Sequence, residues 1–204
     1  MGARERILDS AMKVFGQHGY RLASMELAAQ ESGLTRQALY HHFASKEALF
    51  RAVVEAAFES ACGAEREAGA SAEKAGKGLA DVLVAQLEAR FRYLFDRIKG
   101  AAQAEELLAE HKRQTEDLQQ RFAERKLSLI LGAIERARVS GKVALRDGLT
   151  PLEFARSIEI AIHGLDLKTA GPGALADLER SIRLMVAGAA APHAIERRPL
   201  RRKR

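Results

Sequence analysis

Between Thr35 and Phe43 the chain places Arg36, Gln37, Tyr40, His41 and His42 around two apolar residues, Leu39 and Phe43. Arginine, glutamine, tyrosine and histidine have forks, amides, hydroxyls and ring nitrogens suited to making hydrogen bonds. Leu39 and Phe43 are four residues apart and share one side of a helix. At about 100° per residue, Gln37 and His41 lie almost opposite Leu39, with Arg36 and Tyr40 on the flanks. A short helix with a small apolar anchor and this outward set suits the major groove of DNA. The pair His41-His42 does not suit a metal, because adjacent helical side chains diverge by about 100° and no cysteine is near.

The surrounding residues predict the elements that must hold this helix. Ser24 caps a preceding helix whose inward residues are Leu27 and Ala28, and Glu26 sits in its first turn, where the helix dipole favours an anion. Gly33 supplies a left-handed turn, Leu34 points back to the core, and Thr35 caps the next helix. Before them, a first helix over about Arg4–His18 gathers Ile7, Leu8, Ala11, Val14 and Phe15 on one face, with Gly19 as its stop. After them, Ser45 caps a fourth helix, over about 45–62, that buries Leu49, Phe50, Val53, Val54, Ala57, Phe58 and Ala61. Two short helices about a glycine turn, the second polar on its outer side, make a helix-turn-helix.

The residues Ile7-Leu8, Ala11, Phe15, Gly19, Ser24, Leu27-Ala28, Gly33, Leu39-Tyr40, His42-Phe43, Ser45-Lys46-Glu47 and Leu49-Phe50 together resemble the DNA-binding domain of the TetR family of bacterial transcription regulators. The resemblance covers about a quarter of the chain. It implies that Arg36, Gln37 and His41 face base edges, while Ser24, Thr35, Tyr40, His42 and Lys46 hold phosphates and fix register. It also implies that Arg4 or Arg6 touches the backbone from the N-terminal side. Gln37 departs from the small residue found there in many members, so an operator is not to be borrowed from a relative.

The net charge of +6 is a weak guide to DNA binding because of where it lies. Residues 1–50 carry six Lys/Arg against five Asp/Glu, whereas residues 196–204 carry six against one. The excess is mostly a basic tail over 192–204, read as a disordered, solvated end that adds salt-sensitive phosphate attraction. A single cysteine, Cys62, excludes an internal disulfide and fits a reducing cytoplasm. With no cation beside it to lower its pKa, Cys62 reads as an inert thiol rather than a redox sensor. No apolar run approaches the roughly 20 residues needed to span a bilayer.

Four prolines, no tryptophan and no β-branched runs favour an all-α chain of about nine helices. Residues 1–50 are read as the DNA-binding domain, 51–191 as an effector-binding and dimerisation domain, and Gly63–Gly78 as a loose connection or frayed helix end. Helices follow over about Leu79–Ile98, Ala102–Glu110, Lys112–Ser140, Thr150–Thr169 and Ala174–Ala190. Thr150-Pro151-Leu152-Glu153 has the makings of a capping box. By analogy with the family, Phe91, Phe95, Phe122, Ile158 and Ile162 are candidate walls of an effector pocket, and His111, Thr115 and His163 candidate ligand-orienting groups. Few polar residues line that set, which points toward an apolar or aromatic effector. Ile158, Leu165, Leu178, Ile182 and Met185, beside the small residues Ala155, Ala161, Gly164 and 187–190, are the expected homodimer interface.

These readings imply a ligand-responsive repressor of the cytoplasm, a homodimer released from a palindromic operator by a small molecule, with no cofactor. A repressor rather than an activator is not fixed by any residue. An enzyme finds no support in a nucleophile–base pair, a phosphate loop or metal-ligand spacing. An architectural DNA packager would work through the tail instead of the helix face.

Overall fold

A computed structural model describes residues 2–98, 104–163 and 172–191. Its described residues form nine helices: α1 (Ala3–Leu22), α2 (Met25–Glu31), α3 (Arg36–His42), α4 (Lys46–Lys74), α5 (Leu79–Ile98), α6 (Ala104–Gln114), α7 (Glu116–Val139), α8 (Pro151–His163) and α9 (Pro172–Ala189). The expected caps are formed. Ser24, Thr35 and Ser45 accept from the amides of Leu27, Ala38 and Ala48. Thr150 and Glu153 close their reciprocal box, amide to hydroxyl at 3.2 Å and amide to carboxylate at 2.9 Å. Gly19 interrupts α1 with φ 71° and ψ 175°, and a last turn follows it to Leu22.

The buried side chains fall into two cores. The first gathers Ile7, Leu8, Val14, Phe15, Met25, Ala28, Leu39, Phe43, Leu49, Phe50 and Val53 from α1 to the start of α4. The second gathers Leu79, Val82, Leu83, Leu87, Ile130, Ile134, Phe154, Ile158, Leu178 and Ile182 from α5 to α9. Helix α4 runs from one core to the other. Helix α6 lies against α1, with Leu107 packed on the first core. The Arg51 guanidinium of α4 grips Asp117 at the start of α7 with two bonds, 3.0 and 2.7 Å, and also donates to the Gln114 carbonyl.

The main departure from expectation lies in the stretch from Gly63 onward. It is not a loose connection: α4 continues to Lys74, and the chain reverses at Gly76, whose φ of 76° only glycine adopts readily. The cause is α5, which folds back along α4. Arg90 meets the buried Glu65 at 3.1 Å. The Gln86 side chain lies flat over Gly69, where a Cβ would come within 2.6 Å of the amide nitrogen and 2.7 Å of Cγ. Such a glycine permits close helix approach, whereas Gly63 on the same helix has open space above it.

Two substitutions on one helix are therefore expected to act in opposite directions. Gly69→Ala overpacks the α4–α5 contact and lowers unfolding free energy by about 1–3 kcal/mol. Gly63→Ala adds helix propensity and raises it by about 0.5–1 kcal/mol. Denaturant unfolding of both variants measures the difference; a loss at Gly63 or no loss at Gly69 contradicts this packing.

Candidate nucleic-acid interface

Helix α3 is held by what it buries. Leu39 is fully buried and Phe43 nearly so, both in the first core. Its partner α2 ends in a hydrogen-bonded reversal, with Gly33 N–H on the Gln30 carbonyl and Leu34 N–H on the Ala29 carbonyl. Gly33 takes φ 69°, the left-handed region its side-chain-free Cα allows. Ser10 of α1 donates to the Glu31 carbonyl, so α1 also fixes the end of α2.

The opposite side of α3 faces solvent. Thr35, Arg36, Gln37, Tyr40, His41 and His42 are all exposed. The Arg36 guanidinium lies over the Tyr40 ring, 5.6 Å from its centroid, one helical turn apart. Arg4 sits over the Phe43 ring at the same distance, which places a second guanidinium beside the end of α3. The outer face thus presents an arginine, an amide, a phenol and two imidazoles on a rigid two-turn support.

Two residues expected to hold phosphate also have structural work. Ser24 is half-buried and its hydroxyl caps α2. Lys46 donates to three backbone carbonyls at the end of α1: Tyr20 at 2.9 Å, Ala23 at 3.1 Å and Arg21 at 3.3 Å. An ammonium has three donors, so those of Lys46 are all engaged within the protein. It also lies 4.5 Å from the Tyr20 ring centroid. Tyr20 in turn packs on Phe15 and Phe50 and donates to Glu47 at 3.0 Å. The backbone amide of Glu47, with the Ser45 and Tyr20 hydroxyls, holds that carboxyl below its ordinary range. The signal for this arrangement, a lysine directly after a helix cap, is local; its carbonyl partners lie far back in the sequence.

Of the expected effector residues, His111, Thr115 and Phe122 gather around Phe58, apart from Ile158 and Ile162 in the second core. Thr115 is fully buried and bonds His111, both to its ring at 2.6 Å and to its carbonyl. Phe122 stacks on Phe58, centroids 4.7 Å apart, and Phe58 also meets the His111 ring. Ile158 and Ile162 belong to the second core. Phe91 lies on α5 and is half-buried. The side chains of Phe95 and His163 lie outside the described residues.

Three of the expected dimer residues are filled in by their own chain. Ile158, Leu178 and Ile182 are buried by their own chain, and Met185 packs against the same core. An amphipathic helix buries its apolar face first against its own fold. What α8 and α9 turn outward is Ile160, 74% exposed, and Leu184, 67% exposed, with Leu152 nearby in sequence. Leu165 lies outside the described residues.

Sequence reasoning missed a buried polar group. Glu65 is fully enclosed and bonded to Arg90, and burial pushes its carboxyl up while Arg90 pulls it down. Lys126 pairs with Glu159 at 3.4 Å, and burial pushes its ammonium down. Cys62 is buried, and burial, with Glu65 close by, pushes its thiol up. That keeps it protonated and unreactive.

Taken together, a capped helix-turn-helix with an open polar face and a separate helical core behind it define a DNA-binding regulator fold. Residues 7–53 match the family model described as bacterial regulatory proteins, tetR family. The transcriptional repressor AcnR of Corynebacterium efficiens is 33% identical over 94 residues, which cover 46% of this chain and 45% of AcnR. The transcriptional regulator UidR of Escherichia coli is 41% identical over 51 residues, 25% of this chain and 26% of UidR. The matched stretch thus spans less than half of each of these relatives. Among solved structures, one concerned with control of antibiotic production by a bacterial hormone superposes with a TM-score of 0.65 at 25% identity, over 92% of this chain and 97% of that one. SmeT, the repressor of the Stenotrophomonas maltophilia multidrug efflux pump SmeDEF, superposes at 0.61 with 24% identity, over 93% and 91%, and shares the fold. Residues 7–53 thus resemble the DNA-binding domain of the TetR family, and the chain as a whole shares the fold of these solved structures.

Removing the Lys46 ammonium tests its structural assignment. Lys46→Met leaves the carbonyls of Tyr20, Arg21 and Ala23 without their shared donor and is expected to cost about 1–3 kcal/mol in denaturant unfolding. Unchanged stability with a weaker salt dependence of DNA binding would make Lys46 a phosphate ligand instead.

Proposed function

We propose that this chain is a sequence-specific, ligand-responsive transcription regulator, a homodimer that holds a palindromic operator as a repressor and releases it when a small molecule binds among its C-terminal helices. The observation that carries the reading is the exposed outer face of α3 around its buried Leu39 anchor. In the major groove, Arg36 addresses guanine and Gln37 adenine through paired hydrogen bonds, with His41 beside them. Thr35, Tyr40, His42 and Arg4 lie where phosphates pass and set the register. The regulator works by binding, not by turnover, and needs no cofactor. No described helix is long and apolar enough to cross a membrane, and the proposed place of action is the cytoplasm.

Dimerisation supplies the second reading helix. Ile160 and Leu184 project from α8 and α9 with the small residues Ala161 and Gly188 exposed beside them in sequence. Two such faces, brought together, bury apolar surface now open to water. A dimer reads two half-sites about 34–36 Å apart, or somewhat more, and doubles the specific contacts. Release follows when the ligand favours an arrangement in which that spacing no longer fits the groove.

Binding to the promoter region beside the chain's own gene, at stated salt, tests the reading. Arg36→Ala and Gln37→Ala are each expected to lose about 1–3 kcal/mol of discrimination between operator and random DNA. Deleting 192–204 is expected to lower affinity for both DNAs alike and keep their ratio. Equal operator affinity in wild type and the double variant, with loss only on tail deletion, supports a charge-driven packager instead.

Oligomeric state tests the interface. Ile160→Glu with Leu184→Glu is expected to yield a folded monomer in analytical ultracentrifugation, with operator affinity reduced at least about tenfold. A variant that stays dimeric places the interface elsewhere.

A further inference from the structure

The basic segment 192–204 leaves the fold at the pole opposite to α3. Helix α4 has 29 residues and, at 1.5 Å per residue, holds its ends about 43 Å apart. The helix-turn-helix lies at its Lys46 end. At the other end the chain turns through Gly76, and side chains from α7 to α9 gather around that turn. Lys142 donates to the Lys77 carbonyl at 3.0 Å, and Arg136 of α7 holds Glu73 of α4 at 2.9 Å. Arg183, late in α9, meets Asp81 at the start of α5 at 2.8 Å. The chain beyond α9 is pinned at the same place by an antiparallel bridge between Ala190 and Leu145. There the Arg146 amide donates to the Ala189 carbonyl at 2.9 Å, and the Ala191 amide to the Ala144 carbonyl at 2.7 Å.

Beyond Ala191 stand six cations, Arg197, Arg198, Arg201, Arg202, Lys203 and Arg204, against the single acid Glu196. In any conformation a chain spans at most about 3.6 Å per residue. Arg198 therefore stays within about 25 Å of Ala191, and Arg202 within about 40 Å. Only Lys203 and Arg204 can match the length of α4, and only drawn straight along it, while a duplex read by α3 lies farther still. The pole they leave from is itself cationic at its surface. Lys74, Lys77, Arg138, Lys142 and Arg146 are exposed there, with Asp147 among them. Its acids Glu73 and Glu135 are held by Arg136 and Arg138.

We propose, resting on the operator-binding reading above, that this pole holds a second DNA duplex. The dimer then reads its operator with α3 and bridges it to another stretch of DNA through residues 197–204. All but one of the six cations are arginines, whose fork takes two phosphate oxygens at once. Such contacts are made to any sequence and draw their free energy from released counterions. A twofold axis that sets both α3 helices on one duplex brings both basic segments together at the opposite pole, doubling the cations offered. For a protein held on an operator, the rest of the same DNA is the polyanion at highest local concentration. The segment has no aromatic residue, and Ile195 and Leu200 are its only large apolar ones, too little to anchor it in a bilayer. DNA is stiff over about 150 base pairs, so a longer promoter fragment can swing a second stretch to this pole, whereas an isolated operator duplex cannot.

The test immobilises an operator duplex of about 30 base pairs, long enough for two half-sites, saturates it with the full chain, and adds a labelled duplex of scrambled sequence. The full chain is expected to capture at least about tenfold more labelled duplex than a chain lacking 192–204. Raising salt from about 50 to 200 mM is expected to cut that capture by roughly 10³-fold. Affinity for the short operator duplex itself is expected to change less than about twofold on deletion, because the segment does not reach it. Arg201→Gln, Arg202→Gln, Lys203→Gln and Arg204→Gln together keep the segment's length and are expected to remove most of the capture. Capture that survives either change, no capture by the full chain, or a marked loss of affinity for the short operator on deletion overturns the bridge. Capture of phosphatidylglycerol vesicles in preference to duplex, at equal phosphate, also overturns it and makes the segment a membrane tether. Retention on the operator over a scrambled immobilised duplex is read in the same experiment. An operator held without capture refutes the bridge alone. Operator and scrambled duplex held equally refute the regulatory reading, while capture still decides whether the far pole binds DNA.

Discussion

The ammonium of Lys46, shared among the carbonyls of Tyr20, Arg21 and Ala23, joins the last turn of α1 to the first turn of α4. The helix-turn-helix is threaded between those two points. Its own contribution to stability is small, since α2 and α3 have seven residues each and isolated helices of that length do not persist in water. They hold because Leu39 and Phe43 enter a core whose other walls, α1 and α4, are fixed to each other. The Phe15–Tyr20–Phe50 cluster packs beneath the same junction. A polar outer face on α3 is affordable only because the inner face is so completely anchored.

The same junction ties the outer face of α3 to the rest of the chain. Helix α4 is continuous from Lys46 to Lys74, so its two ends cannot move independently without bending. Near its start, Arg51 grips Asp117 and the Gln114 carbonyl, and the Arg21 amide is taken by Glu106 of α6 at 2.7 Å. The first core is therefore tied to the second through α4 and through the α6–α7 corner. Exposed ion pairs such as Arg51–Asp117 contribute little to stability. Their geometry instead fixes how the two cores sit on each other at this corner.

What the sequence made legible was local. The caps at Ser24, Thr35, Ser45 and Thr150 each depend on residues three positions apart, and each formed as read. The inward and outward faces of α3 followed from a single helical period. What escaped depends on partners distant in sequence. The stretch after Gly63 is poor in large apolar residues, and it is helical because Arg90 and Gln86, on a different helix, meet Glu65 and Gly69. Lys46 looked like a free surface cation because its carbonyl partners precede it by more than twenty residues. The apolar faces of α8 and α9 were visible, but periodicity does not tell whether a face is filled by its own chain or by a second copy. Ile158, Leu178 and Ile182 turn into their own core, and Ile160 and Leu184 turn outward.

Dimethyl sulfate footprinting of the operator tests the central claim most directly, because it reports on guanine N7 in the major groove. The account predicts that the protein protects guanines in both halves of the palindrome, and that Arg36→Ala restores their reactivity. Protection that is unchanged without the Arg36 guanidinium, or confined to the minor groove, would contradict it.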